Sequence, residues 1–145
     1  MNAAVRAALV AAAVVAADQL TKALVRSQIA PGEEIKVLPG VHLVRASNPG
    51  IAFSQLGGGG ALVVVIGLVA LGALLAFFFT HLHRRLVWLP TGLLIGGAAG
   101  NLIDRIRLGA VTDFVKLPHW PAFNVADIAV TFGVIALLYV LEKAK

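Results

Sequence analysis

No cysteine occurs in this chain, acidic side chains number only seven, and charged residues fill 13% of its 145 positions. Each shortage excludes something. Without cysteine there can be no disulfide, thiolate nucleophile, cysteine-based metal site or lipid attached to the chain's own sulfur. A soluble domain carries about 25% charged residues, so this chain cannot cover its surface with charge, and 59% of its residues are hydrophobic. That is the composition of a small integral membrane protein with no room for a separate catalytic domain. The net charge of +5 points to contact with anionic lipid headgroups. The basic residues form no run or stripe, so no nucleic-acid partner is expected.

What is there is apolar sequence in four runs, at about 3–25, 61–79, 86–103 and 123–141. A helix needs about twenty residues to cross hydrocarbon, and only helices or closed barrels satisfy their own backbone in lipid. The expected fold is therefore an all-α, four-transmembrane-helix bundle, forming one membrane-embedded domain over 1–145. Trp88, Trp120 and Tyr139 fall near run ends, as interfacial aromatics do. The first run also resembles a cleavable signal peptide up to Asp18. Apolar character resumes at Leu20, Ala23, Leu24 and Val25, and Asp18 and Lys22 stand i, i+4 on one helical face, which favours a retained helix.

Four crossings put both termini on one side. The short connector His81–Arg85 joins them there, and the larger segments, about 26–60 and 105–122, lie on the other. Basic residues do not settle which side is cytoplasmic: Arg6, Arg84, Arg85, Lys143 and Lys145 oppose Arg26, Lys36, Arg45, Arg105, Arg107 and Lys116. Strand-forming residues flanking Pro39–Gly40 predict a short β-hairpin platform in the first larger segment. Gly57–Gly60 lacks the Lys and Ser/Thr of a phosphate loop and reads as a flexible connector.

Four of the seven acids, Asp18, Asp104, Asp113 and Asp127, sit in or beside these apolar runs. An intramembrane carboxylate is costly and marks function by default. On the expected topology all four lie at one end of the bundle, with Asn48, Asn101 and Asn124. Gly92, Gly96 and Gly100 form a close-approach stripe leading to Asp104, and packing is their plain reading. Asn124, Asp127 and Thr131 share one helical face. Asp127 could equally be a structural acid at a helix N-terminus, and Asp113 a turn aspartate, although Val111, Phe114 and Val115 crowd it with apolar neighbours.

Other chemistries lack parts. Ser27, Ser47 and Ser54 have no evident His–acid relay. His81 and His83 fall on the opposite side, and His119 alone makes a poor metal site, so no metal or other cofactor is expected. Two carboxylates sharing a proton remain, which is the logic of aspartic proteolysis. A different class stays open: intramembrane Asp, Lys and Arg also build ion or proton pathways, though the far halves of the last three runs hold no ionisable group. A purely structural assembly protein is a third reading.

The blocks Asp18-Gln19-Leu20-Thr21-Lys22, Asn48-Pro49-Gly50-Ile51-Ala52-Phe53-Ser54, Gly100-Asn101-Leu102-Ile103-Asp104-Arg105 with Gly109-Ala110-Val111-Thr112-Asp113-Phe114, and Phe123-Asn124-Val125-Ala126-Asp127 resemble, in order and spacing, the signature of lipoprotein signal peptidase, or signal peptidase II. The resemblance covers nearly the whole chain. It implies an aspartic endopeptidase of the bacterial inner membrane, with cytoplasmic termini and an active site near the outer leaflet. The implied substrate is a diacylglyceryl-modified prolipoprotein, cut just before its lipidated cysteine; the implied partners are that substrate and membrane lipids, with the enzyme a monomer. Asp113 and Asp127 match the catalytic pair, and Asn48, Gly50, Asn101, Arg105, Asn124 and Ala126 match supporting positions. Asp18 with Lys22, and Asp104 with Arg105, are expected to brace the bundle as ion pairs. Which aspartate starts protonated does not follow from sequence, because the titration belongs to the pair.

Overall fold

A computed structural model describes residues 1–50, 59–84 and 86–143. The second half of the Asn48–Ser54 block, Ser54, Gly57 and Gly58 of the connector, Arg85 and Lys145 lie outside the described residues. The order is α1 (Ala3–Gln28), β1 (Glu34–Leu38), β2 (Val41–Asn48), α2 (Gly59–Thr80), α3 (Trp88–Leu108), β3 (Val111–Lys116) and α4 (Val125–Glu142). Among the described residues, three helices are long and apolar enough to cross a membrane: Ala3–Gln28, Gly60–Thr80 and Val125–Glu142.

The remaining helix, α3, packs against all the others, so protein covers it from Pro90 to Asp104, while Leu89 and the last residues, Ile106–Leu108, are exposed. That is why it tolerates glycines and charges that a lipid-facing helix would not. An added Cβ at Gly92 would meet Val10 Cβ at 2.7 Å, one at Gly96 would meet Val14 Cβ at 2.7 Å, and one at Gly100 would meet Asp18 Oδ2 at 2.6 Å. Advancing along α3 therefore means advancing along α1: the two run parallel. Gly97 faces Ala126 and Val130 while Gly133 faces Leu93 and Leu94, so α4 runs antiparallel to α3. The glycine stripe is a packing device, as its plain reading held.

At Gly97 the nearest neighbour is backbone, with the Ala126 carbonyl oxygen 2.6 Å and Val130 Cγ2 2.7 Å from an ideal Cβ. Gly97→Ala is expected to push α4 off α3 and cost about 1–3 kcal/mol. Gly72→Ala, in open space on α2, should be neutral or stabilising by up to about 1 kcal/mol. Thermal unfolding of both variants in detergent compares them directly; equal midpoints would contradict the packing described.

The structure departs from the expected boundaries in two places that matter. Helix α3 does not end at residue 103 but runs through Arg105 and Arg107 to Leu108, where Gly109 adopts φ 77° and accepts the left-handed termination. Arg105 thus belongs to the helix rather than to a 105–122 loop. The platform, expected as a hairpin alone, is a three-stranded antiparallel sheet in the order β1-β2-β3. The Pro39–Gly40 hairpin forms as expected, with Gly40 at φ 76°. Strand β3 then pairs with β2, placing Asp113 opposite Ala46, and a register shift between Leu43 and Ala46 marks an extra residue on β2. Glu34, His42 and Lys116, one from each strand, form an exposed ionic cluster across the sheet; Lys116 first, and then His42, hold the Glu34 carboxyl below its ordinary range. Val25, Ile29 and Phe114 form a small core that seats the sheet on the end of α1.

Candidate active site

Two closures bring Asp113 and Asp127 together. The chain after β3 folds back so that Phe123 N donates to Val115 O (3.0 Å), while Phe114 N and Val115 N donate to Phe123 O (3.0 and 2.9 Å). This antiparallel bridge sets Asn124 beside Asp113. Asn124 then caps α4: its side chain accepts from Asp127 N at 2.9 Å, and Asp127 Oδ2 accepts from Asn124 N at 3.1 Å. The reciprocal pair is a capping box with aspartate at N3. Asp127 is thus the N-terminal structural acid its position suggested, and it also faces Asn101.

Asn124 is shared by both carboxylates. Its Nδ2 donates to Asp113 Oδ1 at 2.7 Å and also reaches Asn101 Oδ1 at 3.1 Å. Asn101 Nδ2 donates to Asp127 Oδ1 at 2.9 Å, and Asn48 Nδ2 donates to Asp113 Oδ2 at 3.1 Å. Asn48 Oδ1 accepts from Gly50 N at 3.0 Å, closing a turn in which Gly50 has φ 77°, a conformation glycine adopts without strain. Every oxygen of the two carboxylates therefore has an amide donor, supplied from β2, α3 and the α4 cap.

The acids differ in setting. Asp113 is 4% exposed; burial, partly opposed by the Asn48 hydrogen bond and reinforced by the Asp127 charge, raises its pKa above the ordinary carboxylate value. Asp127 lines an open cleft of about 200 Å³ with Trp120, Phe123, Ile128, Thr131 and Phe132. One carboxyl is held in the protein and the other faces an apolar cleft that a substrate could enter.

Beneath the pair lies a second polar layer. Lys22 Nζ meets Asp18 Oδ2 at 2.8 Å, Asp104 Oδ2 at 3.2 Å and Asn101 Oδ1 at 3.0 Å. Lys22, Asp18 and Asp104 are all buried. The expected Asp18–Lys22 pair is present. The expected Asp104–Arg105 pair is not: Asp104 joins Lys22 instead, because neighbouring residues on a helix do not face each other. Arg105 Nε is buried with no hydrogen-bond partner among the described residues, and Arg105 makes no described contact with either acid of the upper pair. Ala126 N donates to Asp18 Oδ1 at 2.9 Å, which accounts for that position.

Three participants escaped the reading of the sequence. Gln19 Nε2 lies 3.2 Å from Asp18 Oδ2, 3.0 Å from Asp104 Oδ1 and 3.1 Å from Gly100 O. Its signal was available: a neutral polar residue inside an apolar helix needs partners. Thr112 N donates to Asp104 Oδ2 at 2.9 Å, and Arg26 Nη1 donates to Thr112 Oγ1 at 3.0 Å. Neither contact has a local sequence signal.

The family model for signal peptidase (SPase) II matches residues 10–142. The lipoprotein signal peptidase of Moorella thermoacetica is 44% identical over 135 residues, covering 92% of this chain and 90% of that protein. That of Halothermothrix orenii is 40% identical over 134 residues, covering 91% and 92%. Among solved structures, a bacterial membrane enzyme determined by the in meso method at 1.9 Å resolution superposes with a TM-score of 0.88 at 32% identity, covering 96% of this chain and 94% of that one. Most of each chain is covered in every one of these matches, and the chain belongs to the signal peptidase II family of membrane proteases.

Proposed function

We propose that the protein is an aspartic endopeptidase that removes the signal peptide from diacylglyceryl-modified prolipoproteins, cutting just before the lipidated cysteine. Family membership supports the substrate class. The observation that carries the aspartic assignment is Asn124, which holds Asp113 by its side chain and Asp127 by its backbone N–H. One residue thereby fixes two carboxyls in very different surroundings, as acid–base pairs require.

Burial raises the Asp113 pKa, so this reading gives the shared proton to Asp113 and the base role to Asp127, which lines the open cleft. Asp127 takes a proton from water as the water oxygen bonds to the scissile carbonyl carbon, and Asp113 gives its proton to the carbonyl oxygen. In the resulting gem-diol, Asp127 returns its proton to the amide nitrogen and the C–N bond breaks. Asp113 recovers a proton from a gem-diol hydroxyl, leaving a carboxylic acid, a free amine and both aspartates as they began. Asn48, Asn101 and Asn124 orient the carboxyls; Gly50 shapes the turn that aims Asn48; Asp18, Lys22 and Asp104 brace them from below.

The alternating helix directions support four crossings, since α3 lies parallel to α1 from Gly92 to Gly100 and so shares its depth. The chain is then one domain in the bacterial inner membrane, with cytoplasmic termini and the sheet and dyad at the outer leaflet, acting as a monomer. Apolar Phe132 and Ile128 beside Asp127 offer a lipid-side approach for the diacylglyceryl group.

The test is cleavage of a purified prolipoprotein in detergent. Mass spectrometry should show the cut before the lipidated cysteine, and no cut in the unlipidated precursor; equal cleavage of both would overturn the substrate assignment. Activity should fall as pH rises through the raised Asp113 value. Asn48→Ala removes a contact that lowers that value, so its alkaline limb should move to higher pH, and a move to lower pH would contradict the assigned proton.

A further inference from the structure

The sheet-bearing face carries Arg26, Lys36, Arg45, Arg105, Arg107 and Lys116, against Glu33 and Glu34 outside the buried network. Glu34 is taken by Lys116 and His42, and Glu33 Oε2 accepts from Ala30 N at 2.8 Å. Cations on this face therefore exceed the acids available, and two of them converge. Arg26, in the last turn of α1, and Arg45, on β2, line one cleft of about 240 Å³ with Ser47, Thr112 and the exposed, apolar Leu108. Neither arginine pairs with a carboxylate among the described residues. Arg26 uses Nη1 on Thr112 Oγ1, and Arg45 uses Nη1 on the carbonyls of Arg26 and Ile29, at 3.0 and 3.4 Å. The rest of each guanidinium is uncommitted among these bonds.

We propose that this cleft binds the phosphate headgroup of an anionic phospholipid. Two guanidinium forks and two hydroxyls able to donate suit a phosphate oxyanion, and none of the lining residues is acidic. The cleft lies where α1 and α3 end, which on the proposed topology is the level where hydrocarbon gives way to headgroups. Leu108, exposed in the last turn of α3, and Pro31 line the same cleft and offer an apolar surface for acyl chains next to the arginines. A free anion would gain nothing from that surface, which favours a lipid. A diacylglyceryl group bears no phosphate, so the site would serve a lipid other than the prolipoprotein. Its occupant would share Arg26 with Thr112, whose backbone N–H holds Asp104.

Native mass spectrometry of the detergent-purified protein, titrated with phosphatidylglycerol or phosphatidylcholine of matched chains, tests this. Phosphatidylglycerol should be retained preferentially. Arg26→Gln and Arg45→Gln should each weaken it about fivefold and leave phosphatidylcholine unchanged, while Arg107→Gln, outside the cleft on the same face, should change neither. Equal retention of the two lipids by the unaltered protein would overturn the proposal, and that comparison stands even if Arg45→Gln, which removes a cap from α1, fails to fold. An Arg107→Gln loss as large as that of Arg26→Gln would indicate diffuse charge instead of a site. Displacement of the lipid by millimolar inorganic phosphate would make it a free-anion site and sink the lipid assignment.

Discussion

Asp127→Asn and Asp113→Asn should each lower prolipoprotein cleavage by about 10³-fold or more, toward the upper range for loss of an acid–base group. The two losses have different origins. At position 127 an amide cannot take the proton from water. At position 113 an amide keeps the shape but has a single oxygen, so it can accept from Asn124 or from Asn48 and not from both, and it has no acidic proton to give to the carbonyl oxygen. Because the pair acts as a unit, the double variant should be scarcely worse than either single one. Stability separates chemistry from collapse. Asp113→Asn replaces a buried acid by a neutral isostere that leaves one amide donor unmet, so its unfolding midpoint should fall only slightly. Asp127→Asn should lower it modestly, since Asp127 closes the capping box of α4. Turnover retained in either variant, with the protein folded, would remove that residue from the mechanism.

Much of this site was readable in sequence because membrane helices announce themselves by hydrocarbon length, and a carboxylate inside one stands out. Asp18, Lys22, Asn101 and Asp127 could be set at one level by counting along helices alone. Pairings across the chain could not be read that way. Strand β3 carries Asp113, yet Val111–Lys116 reads only as an apolar stretch, since its β-partner lies some 65 residues earlier, at Ala46–Asn48. The end of α3 was misplaced because Arg105 and Arg107 look like a polar loop; the helix continues through them until Gly109 supplies a positive φ. For Asp104 the sequence offered a misleading neighbour. Adjacency suggested Arg105, while one hundred degrees per helical residue turns the two apart and gives Asp104 to Lys22.

Lys22→Met should destabilise the fold far more than either dyad substitution, by about 3–5 kcal/mol. Total stabilities of about 5–15 kcal/mol make that enough to depress the thermal midpoint sharply in detergent. Lys22 is fully buried and spends its three protons on Asp18, Asp104 and Asn101. Methionine fills similar volume but leaves two buried carboxylates facing each other without a cation. Adding Asp18→Asn to Lys22→Met removes one of those charges and should recover part of the loss, a coupling that a residue acting only by packing would not show. A parental midpoint for Lys22→Met would refute the bracing role. Activity should suffer beyond what unfolding explains. Asn101 Oδ1 accepts from Lys22 and from Asn124, and those two donors fix which way its amide points, so that Nδ2 reaches Asp127. Without Lys22 one of them is gone and the amide can turn its oxygen toward the carboxylate, setting acceptor against acceptor. The acids that brace the bundle and the acids proposed to cut the peptide are thus joined through one amide, and the lower layer determines how the upper one is presented to water.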